Sequence, residues 1–302
     1  MKKQRIPKII HYIWFGQTKL PRLTQKCLES WEKYLPDYKI MRWDESNFDL
    51  NTNNFVREAY DNKKWAFVSD YVRLHALKEY GGIYMDTDVE VVKNLDEFLH
   101  LHAFSGFENN KDVTTAVIGS EKNGKWINEI IKYYERRHFV KKDNSLDCTA
   151  NPIIITNITN KMFNLDCKNS YQDLGEITFF PKDYFCPLSI EGLKHTFTKN
   201  THTIHHFSGS WLSKFDRREI NIKKKNLTKY REIIIIPSII LSYTVLLLNK
   251  LKIRRLDENE IKENRNNIWS SKIFGKKEKW FSFFCKINLF MIFTFFLFEF
   301  KV

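Results

Sequence analysis

The sequence predicts an α/β fold, because short apolar segments alternate with helical segments over its first 92 residues. Apolar segments at 8–15, 38–43 and 83–92 have the length and composition of strands. Helical segments at 23–35 and 54–80 separate them. A chain that alternates strand, helix, strand, helix, strand is typical of a parallel sheet covered by helices.

The first strand and the first helix have clear boundaries. "KIIHYIWF" at 8–15 is almost continuously apolar and lies between Pro7 and Gly16, as expected of a buried strand. The helical segment 23–35 has apolar residues at helical spacing and ends before Pro36, which disfavours a helical conformation at the preceding residue. The next segment, "YKIMRW", alternates apolar and polar residues and is predicted to be the second strand.

The second helical region and the third strand meet at two glycines. "NFVREAY" and then "KWAFVSDYVRLHALKEY" are helical in pattern, and Gly81 and Gly82 supply a left-handed stop. The strand expected after them, "IYMDTDVEVV", contains Asp86 and Asp88. Because burying an unpaired carboxylate costs several kcal/mol, these aspartates either mark where the strand reaches solvent or face a positive group.

Four charged residues are predicted to meet at one edge of this sheet. Asp86 lies four residues beyond Gly82, about 13 Å along a strand. Asp70 lies ten residues before the end of the preceding helix, about 15 Å back along it. Arg73 shares a helix face with Asp70. Because the helix and the strand run in opposite directions, both residues should lie at the height of Asp86 and Asp88.

The predicted cluster favours a divalent cation. Three carboxylates with one guanidinium leave an excess of negative charge that a cation would offset. Oxygen ligands suit Mg²⁺ or Mn²⁺, which take the rest of their coordination shell from water and substrate phosphates. A D-x-D sequence alone also occurs at solvated strand ends, so the combination with "SDYVR" and "YGGIY" is what favours a metal site here.

The cysteines and the N-terminal residues favour a reducing compartment. Five cysteines are scattered without a C-x-x-C pair, which argues against a disulfide framework and against a structural zinc site. The first residues, "MKKQRIPKII", are basic but lack the apolar region and cleavage site of a signal peptide. A cytoplasmic location is therefore expected.

The positive charge is concentrated in the C-terminal region. The net charge is +13, and of 49 Lys+Arg and 36 Asp+Glu residues, the segment 212–302 holds 20 and 9. Its apolar runs at 233–248 and 287–298 are shorter than the roughly 20 residues that span a bilayer. Basic residues beside aromatic-rich apolar runs suit an anionic membrane surface better than nucleic acid. We therefore expect a catalytic domain at 1–215 and a membrane-associating region at 216–302, with core helices of a small subdomain as the alternative for that region.

Three segments together resemble glycosyltransferase family 32, the D-x-D glycosyltransferases with a sugar-binding region. They are "IPKIIHYIWFG", "FVSDYVRLHALKEYGGIYMDTDVEV" and "IHHFSGSW" at 204–211, in the family's order over residues 5–212. The resemblance is strongest to the bacterial capsular-polysaccharide and O-antigen members. It implies a GT-A (Rossmann-like nucleotide-sugar-binding) fold, a nucleotide-sugar donor, Mn²⁺ or Mg²⁺ as cofactor, and retention of the anomeric configuration.

The same resemblance implies roles for individual residues. Asp86 and Asp88 match the ligands of the metal and the diphosphate, and Asp70 and Arg73 match donor-sugar contacts. Asp70, Arg73 and Asp88 are therefore the catalytic candidates. The strand end and the C-terminal motif are expected to complete the site: Ile13, Trp14 and Phe15 beside the nucleotide, Ser210 and Trp211 at the leaving group, and His205 or His206 at the metal, with His206 preferred.

The predicted activity is metal-dependent transfer of a hexose to a growing surface polysaccharide. Asp70 is the nearest candidate nucleophile, but hydroxyl binding suits it better, so same-face transfer assisted by the leaving phosphate is the expected mechanism. A metal-dependent nucleotidyl- or phosphotransferase is the alternative enzyme, although the chain has no G-x-x-x-x-G-K-[ST] loop. A non-catalytic membrane scaffold is the alternative from another class.

The expected partners follow from this activity. They are a UDP-sugar or GDP-mannose, a lipid-linked or oligosaccharide acceptor, and a membrane surface reached through the C-terminal region, but no nucleic acid. Such a protein would work at the cytoplasmic face of a bacterial inner membrane, attached peripherally rather than spanning it.

Overall fold

The computed structural model describes residues 3–188 and 196–209. Helices and strands alternate up to the third strand as the sequence predicts, and the first three helices begin and end close to their predicted bounds. The elements in chain order are β1 (Ile9–Ile13), α1 (Arg22–Tyr34), β2 (Lys39–Trp43), α2 (Asn54–Asp61), α3 (Trp65–Tyr80), β3 (Gly82–Met85), β4 (Val89–Val91), β5 (Ala103–Gly106), β6 (Val117–Ser120), α4 (Lys125–Lys132), α5 (Asn151–Phe163), β7 (Gln172–Asp173), β8 (Thr178–Phe180), α6 (Lys182–Phe185) and β9 (Thr203–His205).

Within these residues, seven strands form one sheet in the order β2-β1-β3-β6-β5-β8-β7. The first three strands are parallel, and Ile10 of β1 lies opposite Ile40 on one side and Ile83 on the other. β6 then pairs antiparallel with β3, and β5 pairs antiparallel with β6 and parallel with β8. The predicted α/β class is confirmed, but the sheet is mixed rather than parallel throughout.

The third predicted strand, 83–92, is in fact two strands in two sheets. β3 ends at Met85, and β4 begins at Val89 and pairs antiparallel with β9. Between them, the Asp86 N–H donates to the Ala116 carbonyl at 2.8 Å, and the Val89 N–H donates to the Asp86 carbonyl at 3.0 Å. The D-x-D segment is therefore a turn at the end of β3. Acidic residues at every second position, Asp86, Asp88 and Glu90, continue the period of a strand through this turn, which is why the sequence did not reveal the break.

The hydrophobic core lies on both faces of the seven-stranded sheet. Along β3, Tyr84 packs into one cluster, whereas Ile83 and Met85 pack into the other, as the alternation of a strand requires. The first cluster includes Phe55 of α2, and the second includes Trp31 of α1. β3 is thus packed on both faces, which holds the turn that follows it in a fixed position.

The two glycines after α3 end the helix and let β3 approach β1 closely. The Gly81 N–H donates to the Leu77 carbonyl at 2.9 Å and ends α3, as the sequence predicts. Gly82 has a φ of 111°, and a Cβ there would lie 2.6 Å from the carbonyl oxygen of Ile9 in β1. The helix stop therefore also allows β3 to enter the sheet beside β1.

The length and apolarity of the described helices bear on whether this part of the chain spans a membrane. No helix within residues 3–188 and 196–209 is long and apolar enough to cross a bilayer. The domain boundary at 215, the basic region 216–302 and its apolar runs at 233–248 and 287–298 lie outside the described residues. Their membrane role stays a prediction.

Candidate functional site

Arg73 joins two of the carboxylates expected at this edge. Its Nη2 lies 2.9 Å from Asp70 Oδ1, and its Nη1 lies 3.5 Å from Asp86 Oδ1. α3 supplies Asp70 and Arg73 about one turn apart, and Asp86 directly follows β3. Helix and strand thus bring the three charges to the same height, where the sequence spacing put them.

The guanidinium of Arg73 is buried and contacts two backbone carbonyls and an aromatic ring as well as the two carboxylates. Its side chain is 5% exposed, its Nη1 donates to the Thr115 carbonyl at 2.8 Å, and its Nε donates to the Ser69 carbonyl at 3.1 Å. It also lies 4.5 Å from the centre of the Tyr84 ring, and the Tyr84 hydroxyl donates to Asp86. Burial alone would lower the pKa of Arg73. The nearby Tyr84, Asp86 and Asp70 raise it by more than burial lowers it, so the guanidinium stays charged.

Asp70 is a buried carboxyl with a near-neutral pKa. Burial raises the pKa of Asp70 to about 7, with Arg73 opposing this rise and Asp86 adding to it. The side chain of Asn151, the first residue of α5, faces Asp70 and lowers its pKa. The other end of that amide accepts a 3.1 Å hydrogen bond from the Tyr134 hydroxyl. Near neutral pH, Asp70 can therefore either accept a hydrogen bond from a ligand hydroxyl or donate one to it.

The two-stranded sheet brings a histidine to the D-x-D turn. Val89 of β4 lies opposite His205 of β9. The Nε2 of His205 lies 3.4 Å from Asp88 Oδ1 and 3.9 Å from Asp86 Oδ2. Ligand atoms of Asp86, Asp88 and His205 all lie within 4.8 Å of one another, which is close enough for one cation to contact all three.

Asp88 and His205 stabilise each other's charged form. Burial raises the pKa of Asp88, but His205 and the Ser208 backbone N–H, which donates to Oδ2 at 2.7 Å, hold it well below its usual range. Burial lowers the pKa of His205, but Asp88 and the Cys186 thiol, 3.9 Å from Nδ1, raise it well above its usual value. A cation bound by Nε2 would displace the proton of this imidazolium.

His206, which the sequence analysis preferred as the third ligand, points elsewhere. Its Nε2 lies 2.9 Å from Glu90 Oε2 on β4, and its backbone N–H donates to the Asp88 carbonyl at 3.0 Å. Successive side chains at a strand end face opposite sides, so only one of the two histidines can meet the aspartates. The structure brings His205 to them, which is the alternative that the motif left open.

The donor set fits a divalent cation. Carboxylate oxygens suit Mg²⁺ and Mn²⁺, and an imidazole nitrogen suits a transition metal such as Mn²⁺ better than Mg²⁺. Three protein ligands leave positions of an octahedral shell for water and for the oxygens of a diphosphate.

The three residues expected beside the nucleotide do not share one environment. Ile13 is 7% exposed and Phe15 is 4% exposed, and both side chains lie in the core. Phe15 packs edge-on against Phe48 and Tyr60. Trp14 is partly buried, so of the three it is the side chain with surface available to stack on a base.

Two residues near the cluster were not among the sequence-based candidates. Tyr84 contacts both Arg73, through its ring, and Asp86, through its hydroxyl. It lies within the "YGGIY" segment, which served above only to strengthen the D-x-D motif. Glu108 follows β5, and burial raises its pKa to about 7, with His205 opposing the rise and Asp112 and Asp86 adding to it. A carboxylate at the end of a buried strand was the signal that identified Asp86, and a similar signal, two residues beyond the end of β5, could have identified Glu108.

The C-terminal motif is described as far as Gly209. Ser208 contributes its backbone N–H to Asp88, as given above. Ser210 and Trp211, predicted at the leaving group, lie outside the described residues.

The segment that carries this cluster also matches a known family. Residues 21–105 match the family "Glycosyltransferase sugar-binding region containing DXD motif". An uncharacterized glycosyltransferase of Acanthamoeba polyphaga mimivirus is 33% identical over 154 residues, 48% of this chain and 60% of that protein. Inositol phosphoceramide mannosyltransferase 3 of Schizosaccharomyces pombe is 29% identical over 138 residues, 44% of this chain and 38% of that protein. The chain thus matches only part of the length of these curated relatives.

Solved structures of glycosyltransferases are also similar to this chain. The one described as "PaToxG Glycosyltransferase" superimposes with a TM-score of 0.43 and 20% identity, over 53% of this chain and 71% of that chain. Residues 21–105, which match the sugar-binding region, include the helix, strand and D-x-D turn that position Asp70, Arg73, Asp86 and Asp88.

Proposed function

We propose that this protein is a metal-dependent glycosyltransferase that moves a hexose from a nucleotide-sugar donor. One observation supports this most strongly. A buried guanidinium bridges Asp70 and Asp86 next to a group of Asp86, Asp88 and His205 that fits a cation, all built around a segment matching the D-x-D family. A membrane scaffold would need none of these contacts.

The donor sugar would be held beside Asp70. Its carboxyl, with a pKa of about 7, can accept or donate a hydrogen bond, so it suits the hydroxyl groups of a sugar ring. The Nδ2 group of the nearby Asn151, which has no hydrogen-bond partner within the described residues, would donate to a neighbouring hydroxyl. Arg73 fixes the position of Asp70 through their 2.9 Å ion pair.

The diphosphate would lie at the D-x-D turn. A cation held there by Asp86, Asp88 and His205 would offset the negative charge that develops on the leaving diphosphate. Asp88 is kept ionised by its neighbours, so this ligand is ready to bind without losing a proton.

We infer transfer with retention, by attack on the face from which the phosphate leaves. The bond from the anomeric carbon to the acceptor oxygen forms as its bond to the phosphate oxygen breaks, and the acceptor's proton goes to that phosphate oxygen. Asp70 is buried, ion-paired with Arg73 and close to Asn151, which favours holding hydroxyl groups over nucleophilic attack.

The donor, the acceptor and the location are narrower proposals. The donor is a UDP-sugar or GDP-mannose, and the acceptor is a lipid-linked or oligosaccharide precursor of a surface polysaccharide such as capsule or O-antigen. The S. pombe relative is named a mannosyltransferase of inositol phosphoceramide, which supports including GDP-mannose among the first donors tested. The basic region 216–302 would attach the enzyme peripherally to the cytoplasmic face of the membrane, near such an acceptor.

A nucleotide-release assay on the purified full chain tests the proposal. UDP-glucose, UDP-galactose, their N-acetylated forms and GDP-mannose are each supplied with Mn²⁺, with Mg²⁺ or with EDTA. We expect cation-dependent release of UDP or GDP from one donor, reduced at least 100-fold in Asp88→Asn. In a parallel assay with UTP or GTP and a sugar 1-phosphate, release of pyrophosphate would instead identify a nucleotidyltransferase. The absence of any nucleoside diphosphate release from the donors would contradict the proposal.

A further inference from the structure

A second arginine, Arg137, is also largely buried and lies close enough to Asp70 to lower its pKa. It belongs to the segment between α4 and α5, and its side chain is only 10% exposed. Its guanidinium packs 4.4 Å from the centre of the Tyr133 ring and 5.3 Å from that of Phe55. This aromatic surround leaves the guanidinium little freedom to reorient.

Asp147 fixes one edge of this guanidinium. The Nε and Nη2 groups of Arg137 both donate to Asp147 Oδ2, with Nε at 3.0 Å. The other oxygen of Asp147 accepts hydrogen bonds from the backbone N–H and the hydroxyl of Thr149. Because a guanidinium is planar and rigid, this pairing directs Nη1 away from Asp147.

Nη1 is left without a partner. In residues 3–188 and 196–209, the buried side-chain atoms with no hydrogen-bond partner are Nη1 of Arg137 and Nδ2 of Asn151. Both residues lie close enough to Asp70 to lower its pKa. Tyr134 links them, because its hydroxyl donates to Asn151 and its ring lies 5.8 Å from the Arg137 guanidinium. Two unsatisfied donors therefore belong to residues close to one buried carboxyl, that of Asp70.

A buried donor without a partner has lost its hydrogen bonds to water, and a ligand acceptor would restore one of them. The charge of Arg137 is already balanced by Asp147, and that of Arg73 by Asp70 and Asp86. A ligand that binds Nη1 of Arg137 and Nδ2 of Asn151 beside Asp70 therefore needs to be a neutral hydrogen-bond acceptor, and no additional anion is required. A sugar hydroxyl fits this need, since it can accept from Nη1 and donate to a carboxylate.

We propose that Nη1 of Arg137 donates a hydrogen bond to one ring hydroxyl of the transferred sugar, which makes Arg137 a specificity-determining residue for an uncharged hexose. The inference rests on the proposed glycosyltransferase function. It adds a residue from outside the matched segment 21–105, and it predicts which kind of sugar the site selects.

The test uses the full chain and compares a donor sugar with analogues that each lack one hydroxyl group. The donor used by the wild type is compared, by kcat/KM for nucleotide release, with analogues that each lack one ring hydroxyl. A hydrogen bond to a charged group contributes about 1.5–3 kcal/mol, so one analogue should be ~10- to 100-fold poorer with wild type. In Arg137→Lys and Arg137→Met the parent donor should lose a similar factor, mainly through KM. The difference between the parent and that same analogue should shrink to about threefold or less.

The neighbouring Arg136 supplies a matched control, because it is exposed. Arg136→Met should discriminate among the analogues as the wild type does. Unfolding temperatures of all variants separate loss of the fold from loss of recognition, and Arg137→Lys retains a charge beside Asp147.

Two results would overturn the inference while leaving the proposed function intact. One is that Arg137→Lys and Arg137→Met, although folded, discriminate against every analogue as strongly as the wild type. The other is that UDP-glucuronic acid is a better donor than every neutral sugar. A wild-type protein that releases no nucleoside diphosphate from any donor overturns the proposed function, and the inference with it.

Discussion

Arg73 links two carboxylates at the site through one buried guanidinium. It contacts Asp70 and Asp86 and also donates to two backbone carbonyls, so one planar group makes contacts in several directions. A lysine ammonium is a single point charge and cannot reproduce this geometry. Replacement would leave a buried carboxylate poorly paired.

We therefore predict that Arg73→Lys lowers the free energy of unfolding by about 3 kcal/mol at pH 7, because it leaves a buried ion pair incomplete. Chemical denaturation measures this change. Arg42→Lys is the matched control: its side chain is 41% exposed and pairs with Asp44 on the surface, so about 0.5 kcal/mol or less is expected. Equal losses in the two variants would contradict a structural role for the buried bridge.

The raised pKa of Glu108 should make the stability of the fold depend on pH. Burial raises its pKa to about 7, so the folded protein binds more protons than the unfolded chain between the ordinary carboxyl pKa of about 4.3 and pH 7. Stability due to this group therefore falls as pH rises through that window. Relative to Glu108→Gln, the wild type should lose about 2 kcal/mol of unfolding free energy from pH 5 to pH 8, measured by denaturation in EDTA.

The glutamine variant keeps the size of the side chain and removes its titration. If the difference between wild type and Glu108→Gln is the same at pH 5 and pH 8, Glu108 has an ordinary pKa in the folded protein. A difference that grows in favour of the wild type at higher pH would reverse the assigned direction.

The contact between β3 and β1 decides where the D-x-D turn lies. Gly82 starts β3 at a φ of 111° with the Ile9 carbonyl 2.6 Å from where a Cβ would be, whereas Gly175 has a φ of 79° with no atom within 4 Å of that position. Both substitutions to alanine are strained at the backbone. Only at Gly82 must a neighbouring strand also move.

We predict that Gly82→Ala costs about 3 kcal/mol of stability and that Gly175→Ala costs about 1 kcal/mol, measured by thermal or chemical denaturation. Gly82→Ala should also lower donor turnover, because a shift of β3 displaces Asp86 relative to Arg73. If both variants lose the same stability, backbone strain alone explains the glycine, and the close strand contact does not matter.

The first three helices and the charged edge could be predicted from local patterns. Helical spacing, Pro36 and the glycine pair define elements within a few residues of themselves, and simple rises per residue place Asp70 level with Asp86. The break after Met85 could not be predicted in this way. It depends on β9, which pairs with β4 from more than a hundred residues away along the chain.

The long sequence separation between β4 and β9 also explains why the sequence could not decide which of the two histidines contacts the aspartates. The motif "IHHFSGSW" places both near the site, but the register of β4 against β9 decides that His205 faces Asp88 and His206 faces Glu90. The unpaired donors of Arg137 and Asn151 are also a property of packing, since no local pattern indicates which polar atoms remain unsatisfied. Alternation and spacing predict which residues come near the site, and long-range pairing decides how they face it.

Donor cleavage is proposed to depend on a cation held by Asp86, Asp88 and His205. The most direct measurement is nucleoside diphosphate release as a function of Mn²⁺ concentration, in wild type, His205→Ala and His206→Ala. We predict that EDTA abolishes release and that His205→Ala raises the half-saturating Mn²⁺ concentration at least tenfold, whereas His206→Ala changes it less than threefold. Release that persists in EDTA, or a larger shift in His206→Ala than in His205→Ala, would contradict the account.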